Sequence, residues 1–212
     1  MRVEIYADFV CPWCFIGVRR LRRALAARPS IAVELAWRPF QLNPSMPKGG
    51  IDRATYLAVK FGGRDRVRQL HASIEDSARS VGLSFSFEDI RRQPNTLDAH
   101  RLVRFAGERL GASSPEVEAL VLALYNGFFT QGRDIGNRDT LAALGIAAGL
   151  PEHDLHVYLA SDRDQDQIRA EDLRARRMGI DGGPCFIVAE RIALSGAQEP
   201  EAFLPLFDLA IA

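Results

Sequence analysis

Two of the chain's three cysteines, Cys11 and Cys14, flank Pro12-Trp13 where a short apolar run gives way to a helical pattern. This spacing constrains the start of the fold. With Cys11 as N-cap, Pro12 occupies the first helical position, where its missing N–H costs nothing and its fixed φ suits a helix. The Cys11 sulfur then faces the unpaired N–H groups of the first turn and the positive end of the helix dipole, which favour thiolate over thiol. Cys14, Val18, Leu21 and Leu25 share one helical face, so Cys14 is expected on the core side and Cys11 outside it as an exposed nucleophile. Arg19, Arg20, Arg22 and Arg23 read as a solvated face of the same helix.

Around this helix the pattern is that of an α/β fold. Arg2 to Ala7 reads as a strand, Pro12 to Ala27 as the helix and Ile31 to Trp37 as a second strand, which together predict a βαβ unit with parallel pairing. Three prolines and two glycines between Arg38 and Gly50 mark a boundary. From there to about residue 160 the signals are helical, with no convincing strand run. Asp52, Ser114-Pro115 and Asn137 are the caps, and Gly62, Gly82, Gly111 and Gly149 the stops. Leu83 to Phe87 reads as an extended connector and Asp164 to Met178 as a polar helix. Pro184 to Ala189 and Arg191 to Ser195 then read as paired strands, and Glu199 to Ala212 as a closing helix. The domain expectation is therefore a split α/β unit, 1–45 and 164–212, carrying a helical module at 46–163.

Composition limits the functions open to such a chain. Over 212 residues, Lys plus Arg and Asp plus Glu both number 27, so net charge gives no reason to expect a nucleic-acid partner. A hydrophobic content of 47% fits a soluble globular protein, and a membrane span is not expected. Met1 leads directly into a strand rather than a signal sequence, which predicts a cytoplasmic location. In that compartment a close cysteine pair points to catalysis or metal binding rather than a structural staple. Cys-x-x-Cys is also half of a zinc site, but the sequence has no second such pair and no His-x3-His, and His153 and His156 read as a solvated helix face. No metal and no tightly bound cofactor are expected.

Further motifs narrow the reading: Trp37-Arg38-Pro39-Phe40-Gln41-Leu42-Asn43-Pro44, Pro94-Asn95-Thr96 with Ala99-His100, Gly132-Arg133-Asp134-Ile135, Gly179-Ile180-Asp181-Gly182-Gly183-Pro184 and Gly196-Ala197-Gln198. With Cys11-Pro12-Trp13-Cys14 they resemble the DsbA family, in particular its FrnE-like branch, related to 2-hydroxychromene-2-carboxylate isomerases and kappa-class glutathione transferases. The resemblance implies a thioredoxin-like fold with a large all-helical insertion and a cis Gly183-Pro184 loop beside the cysteines. The activity implied is that of a thiol–disulfide oxidoreductase, with disulfide isomerisation as a variant. Its partners are protein or small-molecule thiols and disulfides, glutathione can serve as redox partner or cosubstrate, and a homodimer stays open.

The same resemblance assigns the catalytic roles to Cys11 and Cys14, and substrate contacts to Trp13, Gly183, Pro184, Asn95 and His100. Asn95 also reads as a helix cap, and His100 as a polar residue on the flank of a core helix. The family usually has Val or Thr where this chain has Gly183, which predicts a more open groove wall. DsbA has a histidine in place of Trp13, so a neutral Trp13, expected exposed beside Cys11, predicts a less oxidising pair. Cys185 reads as a buried structural cysteine turned away from the groove. Asp8 suits either proton transfer near the pair or capping the turn before Cys11. The alternative activity is a glutathione-dependent isomerase or transferase, whose members typically carry an activating serine and no resolving thiol.

Overall fold

The computed structural model describes residues 1–211. Its first strand, β1 (Arg2–Ala7), turns through Asp8-Phe9-Val10 into helix α1 (Pro12–Ala26), and β2 (Glu34–Pro39) follows. β2 pairs parallel to β1, with Ile5 beside Trp37. The second half supplies β5 (Cys185–Val188), antiparallel to β1, and β6 (Ile192–Ser195), giving the sheet order β2-β1-β5-β6. The strand-helix-strand start and the late hairpin are as the sequence predicts.

Between the halves lie α2 (Arg53–Phe61), α3 (Arg64–Ser80), α4 (Leu97–Leu110), α5 (Pro115–Phe129), α6 (Arg138–Ala147) and α7 (Glu152–Ala160). The expected caps form. Asp52 accepts from Thr55 N at 2.8 Å, Ser114 from Val117 N at 3.2 Å, and Asn137 from Asp139 N and Thr140 N at 2.8 and 3.0 Å. One expectation is corrected: the stretch is not free of strand, because β3 (Ile51–Asp52) and β4 (Arg92–Gln93) form a two-residue antiparallel ladder. Two residues cannot display an alternating pattern, so pairing here depends on distant backbone meeting. The connector from Leu83 ends in a 3-10 turn at Phe87–Asp89. Helix α8 (Gln165–Arg177) returns the chain to the sheet, and α9 (Leu204–Ile211) closes it after a 3-10 turn at Pro200–Ala202. The expected closing helix ran to Ala212, which lies outside the described residues.

Alternation in the strands builds a core on both faces. Val3 and Ile5 of β1 join Phe186 and Val188 of β5 in the main core, which runs on through α1 into α4, α5 and α6. Tyr6, Cys185 and Ile187 point the other way, into a smaller cluster with Phe40, Ile180 and Ala175 of α8. The inserted helices therefore share one continuous core with the sheet. Aromatic rings make the junction: Phe15 of α1 stacks on Tyr125 of α5 at 5.0 Å, and Phe85 meets Phe129 at 5.1 Å. Such pairs contribute about 0.5–1.5 kcal/mol each beyond the area they bury. Arg20 departs from the solvated face read from sequence. It is buried, donates to the Ala197 carbonyl and pairs with Glu199 at 2.6 Å, pinning α1 to the segment after β6.

Candidate active site

The site starts from the turn that joins β1 to α1. Cys11 N donates to the Asp8 carbonyl at 3.1 Å, closing the turn, and Cys11 takes the extended backbone of an N-cap (φ −99°, ψ 110°) with Pro12 in the first turn. Asp8 thus closes the turn with its main-chain carbonyl. Its side chain instead accepts from Leu42 N at 2.7 Å and ties the turn to the loop after β2. Cys11 is itself the N-cap residue of α1, and no side chain makes a capping hydrogen bond there.

Cys11 is not exposed as the sequence predicts: only 4% of its surface is accessible. The covering element is the loop before β5, 172 positions away in sequence, where the Cys11 thiol donates to the Gly183 carbonyl at 3.5 Å. Cys14 is fully enclosed, as its helical phase predicts. Burial, then the hydrogen bond and charge of Cys11, hold the Cys14 thiol well above its ordinary pKa, and the Asp8 charge adds to the rise against a favourable Asp8 main-chain contact. The Cys14 sulfur thus sits in a place that resists thiolate formation, and the Cys11 sulfur lies against the Gly183 loop at the helix end. Trp13 is half-buried against the core rather than exposed.

Gly183 precedes Pro184 through a cis peptide bond, as the resemblance implies. Its missing side chain does not widen the groove wall, contrary to expectation. A Cβ at Gly183 would point inward and stand 2.8 Å from the Cys14 sulfur. Glycine here makes room for the second cysteine. Gly183→Val is therefore expected to destabilise the reduced protein by about 1–3 kcal/mol, the usual cost of overpacking, read as a lower urea midpoint. An unchanged midpoint would show that the Cys14 sulfur has free room to move aside. Cys185, beyond Pro184, is buried in the smaller cluster, and burial raises its pKa against the help of the Ser195 hydroxyl.

Asn95 and His100 do not share one role. The Asn95 amide is used within the fold: it donates to the Met46 carbonyl at 2.5 Å and accepts from Leu97 N at 2.9 Å, tying the loop after β2 to the start of α4. Beside it, Gln41 donates to Thr96 and its own N–H is held by Asp172 at 2.7 Å. His100, buried on α4, lies 3.7 Å from Asp8 with its ring 4.8 Å from Phe9. Tyr125 was not singled out from the sequence, yet its hydroxyl is buried and unpartnered in the field of Cys14, Cys11 and Asp8. Burial first, then those charges, push its pKa well up, so it stays a neutral donor. The only sequence signal was a polar-tipped residue four after Val121 on an otherwise apolar face. His153 and His156 are exposed on α7. Among the described residues no group of three or more His, Cys, Asp or Glu side chains is placed to hold a metal ion.

A Cys-x-x-Cys pair gains its meaning from its surroundings, and here these are a central strand, the helix it feeds, and a cis-proline loop returning from the far half of the chain. A chain so arranged is a thioredoxin-like protein, and the helices from α2 to α7 are its insertion. It belongs to the family of the DSBA-like thioredoxin domain, whose model matches residues 2–207. Its fold superposes with a TM-score of 0.89 on a probable DsbA oxidoreductase from Streptomyces coelicolor, 33% identical over 100% of this chain and 90% of that one. YwbO of Bacillus subtilis, an uncharacterised protein, is 25% identical over 204 residues, 96% of this chain and 94% of its own. The cytosolic disulfide reductase DsbM of Pseudomonas aeruginosa, solved with glutathione, shares the fold at a TM-score of 0.68 and 18% identity, covering 100% of this chain and 99% of that one.

Proposed function

We propose that the protein is a dithiol–disulfide oxidoreductase in which Cys11 attacks and Cys14 resolves. The observation that carries this reading is the asymmetry of the pair: Cys11 is the N-cap of α1, while Cys14 is enclosed and its thiol disfavours ionisation. The Cys11 thiolate attacks a substrate disulfide and holds one half as a mixed disulfide. Cys14 then displaces that half and closes the Cys11–Cys14 bond; run backwards, the sequence oxidises a dithiol. Glutathione fits as redox partner, as the fold is shared with a reductase solved with it. A cytoplasmic setting suits the pair, since disulfides formed there are mostly transient and catalytic. Among the described residues no helix is long and apolar enough to cross a membrane.

Cys14→Ser provides the test. Treated with oxidised glutathione, this variant is expected to accumulate a single glutathione adduct on Cys11, seen by mass spectrometry, and to lose net disulfide reduction. Glutathione-dependent turnover that survives the change would overturn the proposal in favour of an isomerase or transferase. The equilibrium potential of the pair then assigns the direction of electron flow, near about −270 mV for a thioredoxin-like reductase and near about −120 mV for an oxidant.

A further inference from the structure

Arg53 holds a buried charge that the fold leaves unanswered. It opens α2 and is only 7% exposed. Its guanidinium bonds the Gln93 side chain of β4 and lies 5.4 Å from the centre of the Phe128 ring, while its buried Nε has no hydrogen-bond partner. Burial pulls its pKa down to about 10, and the group that opposes the fall is Tyr56, not a carboxylate. Buried charges are ordinarily paired, since an uncompensated one is costly. Arg101 shows the usual arrangement: fully enclosed, it has the Asp98 carboxylate at 2.6 Å. Arg53 has no such partner among the described residues, so its burial needs a reason.

Its position offers one. Arg53 lines a cavity of about 400 Å³ between α2, the start of α3 and the 3-10 turn at Phe87–Asp89. Leu57, Phe87 and Ile90, all buried, give this cavity an apolar floor. Arg64, Arg68 and Arg91 stand exposed at its mouth. Two carboxylates also line it, and neither answers Arg53. Asp52 is engaged in capping α2 through Thr55 N and Oγ1, and Glu88 is exposed at the rim. Arg68 lies on Asp65 at 2.5 Å. Cys11, Trp13, Gly183 and Pro184 are not among the lining residues, so the cavity is separate from the dithiol.

We propose that this cavity is a binding site for a small carboxylic acid with an apolar body. The carboxylate pairs with the Arg53 guanidinium and supplies its missing counter-charge. The apolar body covers Leu57, Phe87 and Ile90, and the exposed arginines draw the anion in. An inorganic anion would leave the floor bare, and a neutral apolar molecule would leave the Arg53 charge buried and alone. The site carries its own reporter. His71 of α3 stacks on Phe87 with ring centres 4.0 Å apart, and burial first, then the Arg53 charge, hold its pKa below the ordinary value. A bound carboxylate cancels the second cause.

Titration calorimetry of the full-length protein at physiological ionic strength tests the site, with phenylacetate and hexanoate as probes. At least one of these acids is expected to bind about tenfold or more tightly than phenylacetamide, which has the shape without the charge, and than inorganic phosphate, which has the charge without the apolar body. Binding is also expected to raise the His71 pKa, followed through its imidazole NMR signals. Arg53→Gln should weaken acid binding by about thirtyfold or more and abolish the effect on His71. Exchanging both Arg64 and Arg91 for Gln changes only exposed side chains, and should weaken binding by about fivefold or less, most of it at low salt. Failure of both acids to bind would overturn the proposal, as would amide or phosphate binding equal to theirs. Acid binding that leaves the His71 pKa unmoved, or that survives Arg53→Gln undiminished, would place the acid elsewhere and overturn it too.

Discussion

Cys11→Ser is expected to abolish disulfide exchange, lowering turnover by more than about 1,000-fold, without unfolding the protein. A serine hydroxyl at this position keeps the N-cap and improves it, since Ser is among the best capping residues and the Cys11 side chain makes no capping bond. What is lost is the nucleophile. An unactivated alcohol is a far weaker nucleophile than a thiol. Disulfide reduction and thermal unfolding should be followed together, with reduction gone and the melting temperature equal to wild type or above it. Residual exchange within about tenfold of wild type would mean that Cys14 or Cys185 can start the reaction, and the assignment of roles would fail. Cys14→Ser contrasts with it, because that variant still takes up substrate.

Arg101→Met is expected to cost about 3–5 kcal/mol of stability, the largest loss that a single charge in this fold should produce. Arg101 on α4 is fully buried. It pairs with Asp98 at 2.6 Å and donates to the carbonyls of Tyr158, Ser161 and Arg163 at 3.0, 2.9 and 2.6 Å, its guanidinium lying 4.8 Å from the centre of the Tyr158 ring. Methionine fills much of the volume but strips the Asp98 carboxylate and the Ser161 and Arg163 carbonyls of their Arg101 donor, while the Tyr158 carbonyl keeps the Ser161 N–H and hydroxyl. These bonds join α4 to the turn between α7 and α8, so they also hold the helix that carries His100. Urea unfolding at neutral pH measures the effect. A loss below about 1 kcal/mol would show that water reaches these groups, and Asp98→Asn in the same background should recover part of any larger loss.

Several particulars show how far sequence reasoning reached. The helix boundaries were readable because caps are local: Asp52, Ser114 and Asn137 each bond to an N–H two or three residues on, and the chemistry needs nothing from the rest of the chain. The strands of the main sheet were readable because alternation reports which residues must leave water, as with Val3 and Ile5 against Tyr6. The β3–β4 ladder was not, since it joins segments about forty residues apart and is too short to carry a period. Arg20 was misread for a related reason. Four arginines close together look alike in sequence, and only the Ala197 carbonyl and Glu199, supplied from the far end of the chain, single one out for burial.

At the site the same division holds. That two cysteines open a helix, one on its core face and one at its tip, is legible locally, because Pro12 and the spacing of four, three and four residues dictate that geometry. Whether the tip would be open to solvent was a question about another part of the chain. Tertiary structure decided it by bringing Gly183 across Cys11, and it turned the absent Gly183 side chain toward Cys14 rather than the groove. It also set Asp8 and Tyr125, from a turn and an inserted helix, beside the enclosed Cys14, with His100 3.7 Å from Asp8. Contacts within a helical turn follow from local stereochemistry. Contacts that enclose a sulfur depend on how the two halves of the chain and the module between them pack.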